Sequence, residues 1–149
     1  MLALRRGTGR RGGYTIAELV MVCAVLGILA GIAFPVAKYT NKRMKESELR
    51  SALREMRNAI DEHKRFSDAG LIPVELGTDG YPKELEVLVE GVDLVGQIDR
   101  KAKFLRRIPL DPMTGKDEWD ATSWGGENVY DVYSLSAGVG LNGVPYSQW

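Results

Sequence analysis

The amino-acid sequence predicts an α+β fold: a long N-terminal helix, with a transmembrane half and an amphipathic half, packed on a small antiparallel β-sheet. Three observations predict it. Residues 14–37 are almost unbroken in apolar side chains, an apolar stripe at helical spacing follows from residue 38 to about 67, and short alternating segments between turn residues fill the remainder.

The first segment is interrupted by Thr15, Glu18, Gly27, Gly31 and Pro35. A helix needs about 20 residues to cross a bilayer, so this run is long enough. A cleaved secretory signal has an apolar run of about 7–15 residues and small residues at a cut site on its far side. This run is longer and carries a carboxylate near its start. An uncleaved signal anchor satisfies the same hydropathy. The flanking charges do not choose an orientation, since Arg5, Arg6, Arg10 and Arg11 on one side match Lys38, Lys42, Arg43 and Lys45 on the other.

Beyond residue 38 the periodicity becomes amphipathic. Leu49, Ala52, Leu53, Met56, Ala59 and Ile60 recur at three- and four-residue spacings, the pattern of a helix laid on a core. Glu46, Arg50, Arg54 and Glu55 are read as the solvated opposite faces. His63, the one histidine, continues the stripe and is read as a packing residue. Asp68, Ala69 and Gly70 end the helix.

Residues 71–80 read as a loop, with Pro73, Gly77, Asp79 and Gly80 as breakers. Pro82 is placed to open a short helix with Leu85, Leu88 and Val89 on its apolar face, ending at Gly91. Residues 103–108 are expected to begin a strand. A turn cluster of Pro109, Asp111, Pro112, Thr114 and Gly115 follows, then alternation across residues 129–134 and a loop with Gly138, Gly140 and Gly143.

Composition narrows the function classes. The 20 basic and 20 acidic residues balance, but four arginines precede Gly13, and without them 16 basic residues face 20 acidic ones. A broad basic field for nucleic acid is disfavoured, and no nucleic-acid partner is expected. Cys23 is the only cysteine, so no intramolecular disulfide forms, and its apolar neighbours predict a buried thiol. With one histidine and no nucleophile elbow, phosphate loop or metal-ligand spacing, little is available for catalysis.

The informative string is Arg10-Arg11-Gly12-Gly13-Tyr14-Thr15-Ile16-Ala17-Glu18-Leu19, followed directly by the apolar run. It resembles the leader of type IV pilins and of the pseudopilins of type II secretion: a basic leader ending in Gly, then an aromatic residue, Thr, an aliphatic residue and Glu. Counting from Tyr14, Glu18 is fifth and Pro35 twenty-second, and the family commonly has these residues there. Tyr14 stands where Phe or Met is usual, and Ala17 where a larger aliphatic residue is common. Gly80-Tyr81-Pro82, Phe104 to Pro112 and Tyr130 to Ser134 are similar to the major, G-type pseudopilin, so the resemblance covers most of the chain.

The resemblance implies a division into a leader (1–13), a transmembrane and polymerisation helix (14–37) and a pilin-like head (38–149). It implies cleavage after Gly13 by a prepilin peptidase and N-methylation of Tyr14. Glu18 and Pro35 become assembly residues, with Glu18 paired to the freed amine of a neighbouring subunit. A carboxylate at that depth costs about 2.5–3.5 kcal/mol to insert, which a partner would offset. The implied function is a structural, non-enzymatic subunit of a type II secretion pseudopilus, a homo-oligomer in a helical filament. Its implied partners are other pseudopilins and an inner-membrane assembly platform. The implied location is the bacterial inner membrane, single-pass, with the head in the periplasm. A subunit of a type IV pilus or DNA-uptake fibre is the near alternative, and a membrane-anchored enzyme or binding domain the distant one. G-type subunits usually hold calcium in an Asp-rich loop after the final strand. Here that loop is Ser136-Ala137-Gly138-Val139-Gly140-Leu141-Asn142-Gly143, without a carboxylate, so calcium is not expected and no cofactor is assigned.

Overall fold

The structure is a computed structural model describing residues 13–97 and 99–149. Arg5, Arg6, Arg10 and Arg11 lie outside the described residues. Helix α1 spans Ile16–Asp68 and helix α2 Glu86–Glu90, with strands β1 (Val92–Asp93), β2 (Lys101–Ala102), β3 (Asp120–Thr122) and β4 (Asp131–Tyr133) and a 3-10 turn at Tyr146–Gln148. The chain divides into two compact units between Thr40 and Asn41.

In the first unit the helix is apolar without being buried. Its apolar window, including Leu19, Val22, Leu26 and Leu29, is exposed, and it is long and apolar enough to cross a membrane. Helical geometry satisfies the backbone within the segment, as hydrocarbon requires. Cys23 is exposed here, against the sequence reading. Apolar sequence neighbours share its helix but sit on other faces, so they do not cover its thiol.

The second unit builds its core on the predicted stripe. Leu49, Leu53, Met56, Ala59 and Ile60 of α1 pack with Leu85, Leu88, Leu105, Val129, Val132 and Tyr146. The expected single sheet is two separate antiparallel pairs, β1 with β2 and β3 with β4. Val92 faces Ala102 in the first, and Ala121 faces Val132 in the second. Strands this short hold little by themselves, so the α1 stripe supplies the regular surface.

Two connections depart from the sequence reading. Pro82 does not open α2, which begins at Glu86; the Pro82 carbonyl instead accepts the Val129 N–H at 2.8 Å. Residues 103–108 form no strand. The N–H groups of Phe104 and Leu105 both donate to the Leu88 carbonyl, at 3.0 and 2.9 Å, so this segment closes over α2 instead of joining a ladder. Gly91 ends α2 as expected, with φ of 83°, and a Cβ there would lie 2.8 Å from the Ala102 carbonyl oxygen.

Polar contacts fix the turn cluster and the strand that follows. Asp111 is fully buried, its carboxylate accepting from Met113 N–H at 2.8 Å and from Ser134 Oγ at 2.5 Å. Arg57 reaches across to β4, with Nε 2.6 Å from Asp131 Oδ1 and Nη2 donating to the main-chain oxygens of Val132 and Trp149. Being partly exposed, the ion pair itself contributes little, and its main effect is to hold β4 and the tail to the helix.

His63 is buried as a packing residue, its ring edge-on to Phe104 with centroids 5.2 Å apart. Its Nδ1 lies 3.2 Å from the Gly80 carbonyl oxygen, an acceptor, so Nδ1 carries the proton. Burial lowers its pKa, against smaller raising effects from the Gly80 carbonyl and Glu75.

Two outcomes are expected. Leu88→Ala should lower unfolding free energy by about 2–5 kcal/mol in denaturant titration, while Leu110→Ala, at an exposed site, should change it by under about 0.5 kcal/mol. Because the folded pKa of His63 is depressed, its neutral form should stabilise fully above pH about 6.5, and that stability should fall as pH drops below it. Melting temperatures of wild type and His63→Gln across mildly acidic pH measure this. The wild-type slope should be the steeper.

Candidate functional site

Gly13, Tyr14 and Thr15 precede the helix as irregular, exposed chain, with Tyr14 at 83% exposure. The helix starts where it does because Thr15 caps it. Thr15 Oγ1 accepts the Glu18 N–H at 3.2 Å and the Thr15 carbonyl accepts the Leu19 N–H at 3.1 Å. Thr15 and Glu18 have the spacing of a capping box, a signal present in the sequence but read there only as part of a motif. The cap satisfies one orphan amide of the first turn and leaves Gly13 and Tyr14 in accessible backbone.

Glu18 lies in that first turn, where the helix dipole favours a negative charge. Among the described residues its carboxylate has no hydrogen-bond or ion-pair partner. Further along, a Cβ built on Gly27 or Gly31 meets no atom within 4 Å, so nothing within this chain requires a glycine at either position. Pro35 lies inside the helix, which runs on through it. Proline has no N–H to offer the Gly31 carbonyl one turn back.

The C-terminal loop is held from α1. Lys42 Nζ donates to the Val139 carbonyl at 2.7 Å, and Glu46 Oε1 accepts from Leu141 N–H at 2.7 Å and from Tyr146 Oη at 3.0 Å. Glu46 is 7% exposed, so its reading as a solvated surface charge is corrected: a charged residue at the stripe's edge turns inward when donors await it. Arg50, also read as solvated, stays exposed but stacks on Trp149, its guanidinium carbon 4.4 Å from the ring centroid. Tyr146 has its pKa pushed up to about 12, by burial first and then by the Glu46 carboxylate it binds. Nothing in the helical pattern signalled Lys42 or Glu46, whose partners are 95 or more residues away.

The Val139 carbonyl, a natural ligand for a hard cation, already carries an ammonium, and the loop brings no carboxylate. Among the described residues no group of three or more His, Cys, Asp or Glu side chains is placed to hold a metal.

No family model matches the chain. No solved structure matches it. Two curated proteins do. The type II secretion system core protein G of Escherichia coli K12 is 28% identical over 138 residues, covering 89% of this chain and 85% of that protein. The protein of the same name from Klebsiella pneumoniae is 27% identical over 143 residues, covering 93% and 90%. The chain therefore resembles the type IV pilin-like proteins, and among them the G-type pseudopilin of type II secretion, over most of its length.

Proposed function

We propose that this chain is a structural subunit of a type II secretion pseudopilus: a precursor cleaved after Gly13 whose mature form polymerises through its N-terminal helix. One observation carries the reading. An exposed apolar helix begins at a capped, accessible junction and bears a single carboxylate, Glu18, with no partner among the described residues. Apolar exposure on this scale calls for lipid or for other copies of the helix. The likeness to core protein G over most of the chain favours secretion over a surface or DNA-uptake pilus.

In this reading a prepilin peptidase draws in the backbone around Gly13, where no side chain obstructs an extended fit. The freed amine of Tyr14, N-methylated, then pairs with Glu18 of an adjacent subunit in the bilayer. Two groups that are each costly in hydrocarbon neutralise one another and fix the register of the incoming subunit. Pro35 removes one helical hydrogen bond, giving the helix a place to loosen during assembly. The head lies in the periplasm, the helix is anchored in the inner membrane, and the partners are an assembly platform and other pseudopilins. No cofactor and no catalytic step enter this proposal. Lys42 and Glu46 do the work of ordering the C-terminal loop.

Intact-mass analysis of the membrane-extracted protein should give a species beginning at Tyr14. A species beginning after Ala30 or Ala33 would identify a secretory signal instead. Glu18→Ala should still insert and still be cleaved, since neither step uses the carboxylate. Its filament yield should fall sharply, because an unpaired buried amine costs about 3–5 kcal/mol. Glu18→Gln in the same membranes separates charge from side-chain volume, and normal filaments from the alanine variant would remove the charge-pairing step.

A further inference from the structure

Outside the stripe that builds the core, the head-bearing part of α1 carries two rows of opposite charge. Arg43, Arg50 and Arg57 recur every seven residues, with Arg54 beside them, and so do Glu48, Glu55 and Glu62. Seven residues are two helical turns, so each row runs nearly parallel to the axis with charges about 10.5 Å apart, and the rows lie about 140° apart around the helix. Except for Arg57, which is partly buried, these side chains belong to exposed residues.

The rows flank two open grooves. The basic row borders one of about 350 Å³ with Trp149 and Gln148 on its other wall, and Glu48 and Glu55 border another of about 300 Å³ with Pro109 and Leu110. Arg107 also reaches the acidic groove, and Asp61 closes the basic row at its C-terminal end. Arg50 and Arg57 are engaged with Trp149 and Asp131 within the chain. Among the described residues Arg43, Arg54, Glu48, Glu55 and Glu62 have no hydrogen-bond or ion-pair partner.

We propose that these rows are the two halves of one contact between copies of the chain: the arginine row of one α1 docks on the glutamate row of a parallel neighbour. The match is internal to the sequence. Sliding one helix past another by five residues, about 7.5 Å, sets Arg43, Arg50 and Arg57 opposite Glu48, Glu55 and Glu62 together. Because the basic and acidic flanks differ, the contact is heterologous: each copy keeps one flank open for the next, and the series propagates instead of closing on a dimer. Like rows brought together repel, which disfavours the symmetric, isologous pairing. The contact deepens the polymer reading and rests on it.

Charge reversal in the full-length protein tests it. Arg43→Glu, and separately Glu48→Arg, should each insert, be cleaved and melt as wild type does, yet lose filaments about fivefold. A chain carrying both changes again sets opposite charges against each other at this step of the register and should regain most of the yield. Filament yield from sheared membranes is the readout. Normal filaments from either single variant, or no recovery in the double variant, would overturn the docking of the rows. Filaments absent from the wild-type chain would overturn the polymer reading itself, and this contact with it.

Discussion

The head depends on the burial of one helical stripe. Strands of two and three residues cannot stabilise themselves, and α2 is barely more than one turn. Leu49, Leu53, Met56 and Ile60 offer what those pieces lack: a continuous apolar surface whose geometry is set locally before any distant contact forms. Leu88, Leu105 and Val132 each reach that surface from a different part of the chain. The antiparallel pairs and the turn around Asp111 are then held by what they touch.

The N-terminal segment obeys the opposite logic. Its helix is complete in itself, since every interior N–H and carbonyl apart from the Gly31 carbonyl, which Pro35 cannot serve, has a partner in the same segment by geometry. Side-chain contacts within the chain are not needed to hold it. Thr15 fixes where it starts, and Glu18 occupies the place where a carboxylate is electrostatically favoured by the helix yet disfavoured by hydrocarbon.

Much of this was legible in the sequence because period and length are strong signals. The stripe at three- and four-residue spacing, the packing role of His63 and the end of α2 at Gly91 were all readable from local pattern. What escaped was non-local. Glu46 looks like any polar residue beside a stripe until Leu141 and Tyr146 are brought to it. The strands are too short for alternation to register, so the segment at 103–108 looked more strand-like than it is. Cys23 was misjudged for a related reason: apolar sequence neighbours imply burial in a head, but not on a helix whose surroundings lie beyond its own chain.

The anchoring of the tail bears on how this protein can change length. Lys42, Glu46, Arg50 and Arg57 all hold the segment between Val139 and Trp149, and they fall within an arc of about 80° on α1. Inserting or deleting a single residue between them would rotate the later anchors by about 100°, swinging them off the tail and pulling the stripe out of phase with the core. The loop at 71–80 has no such phase to keep. Length variation should therefore collect in the connections, while this stretch of α1 changes by substitution alone.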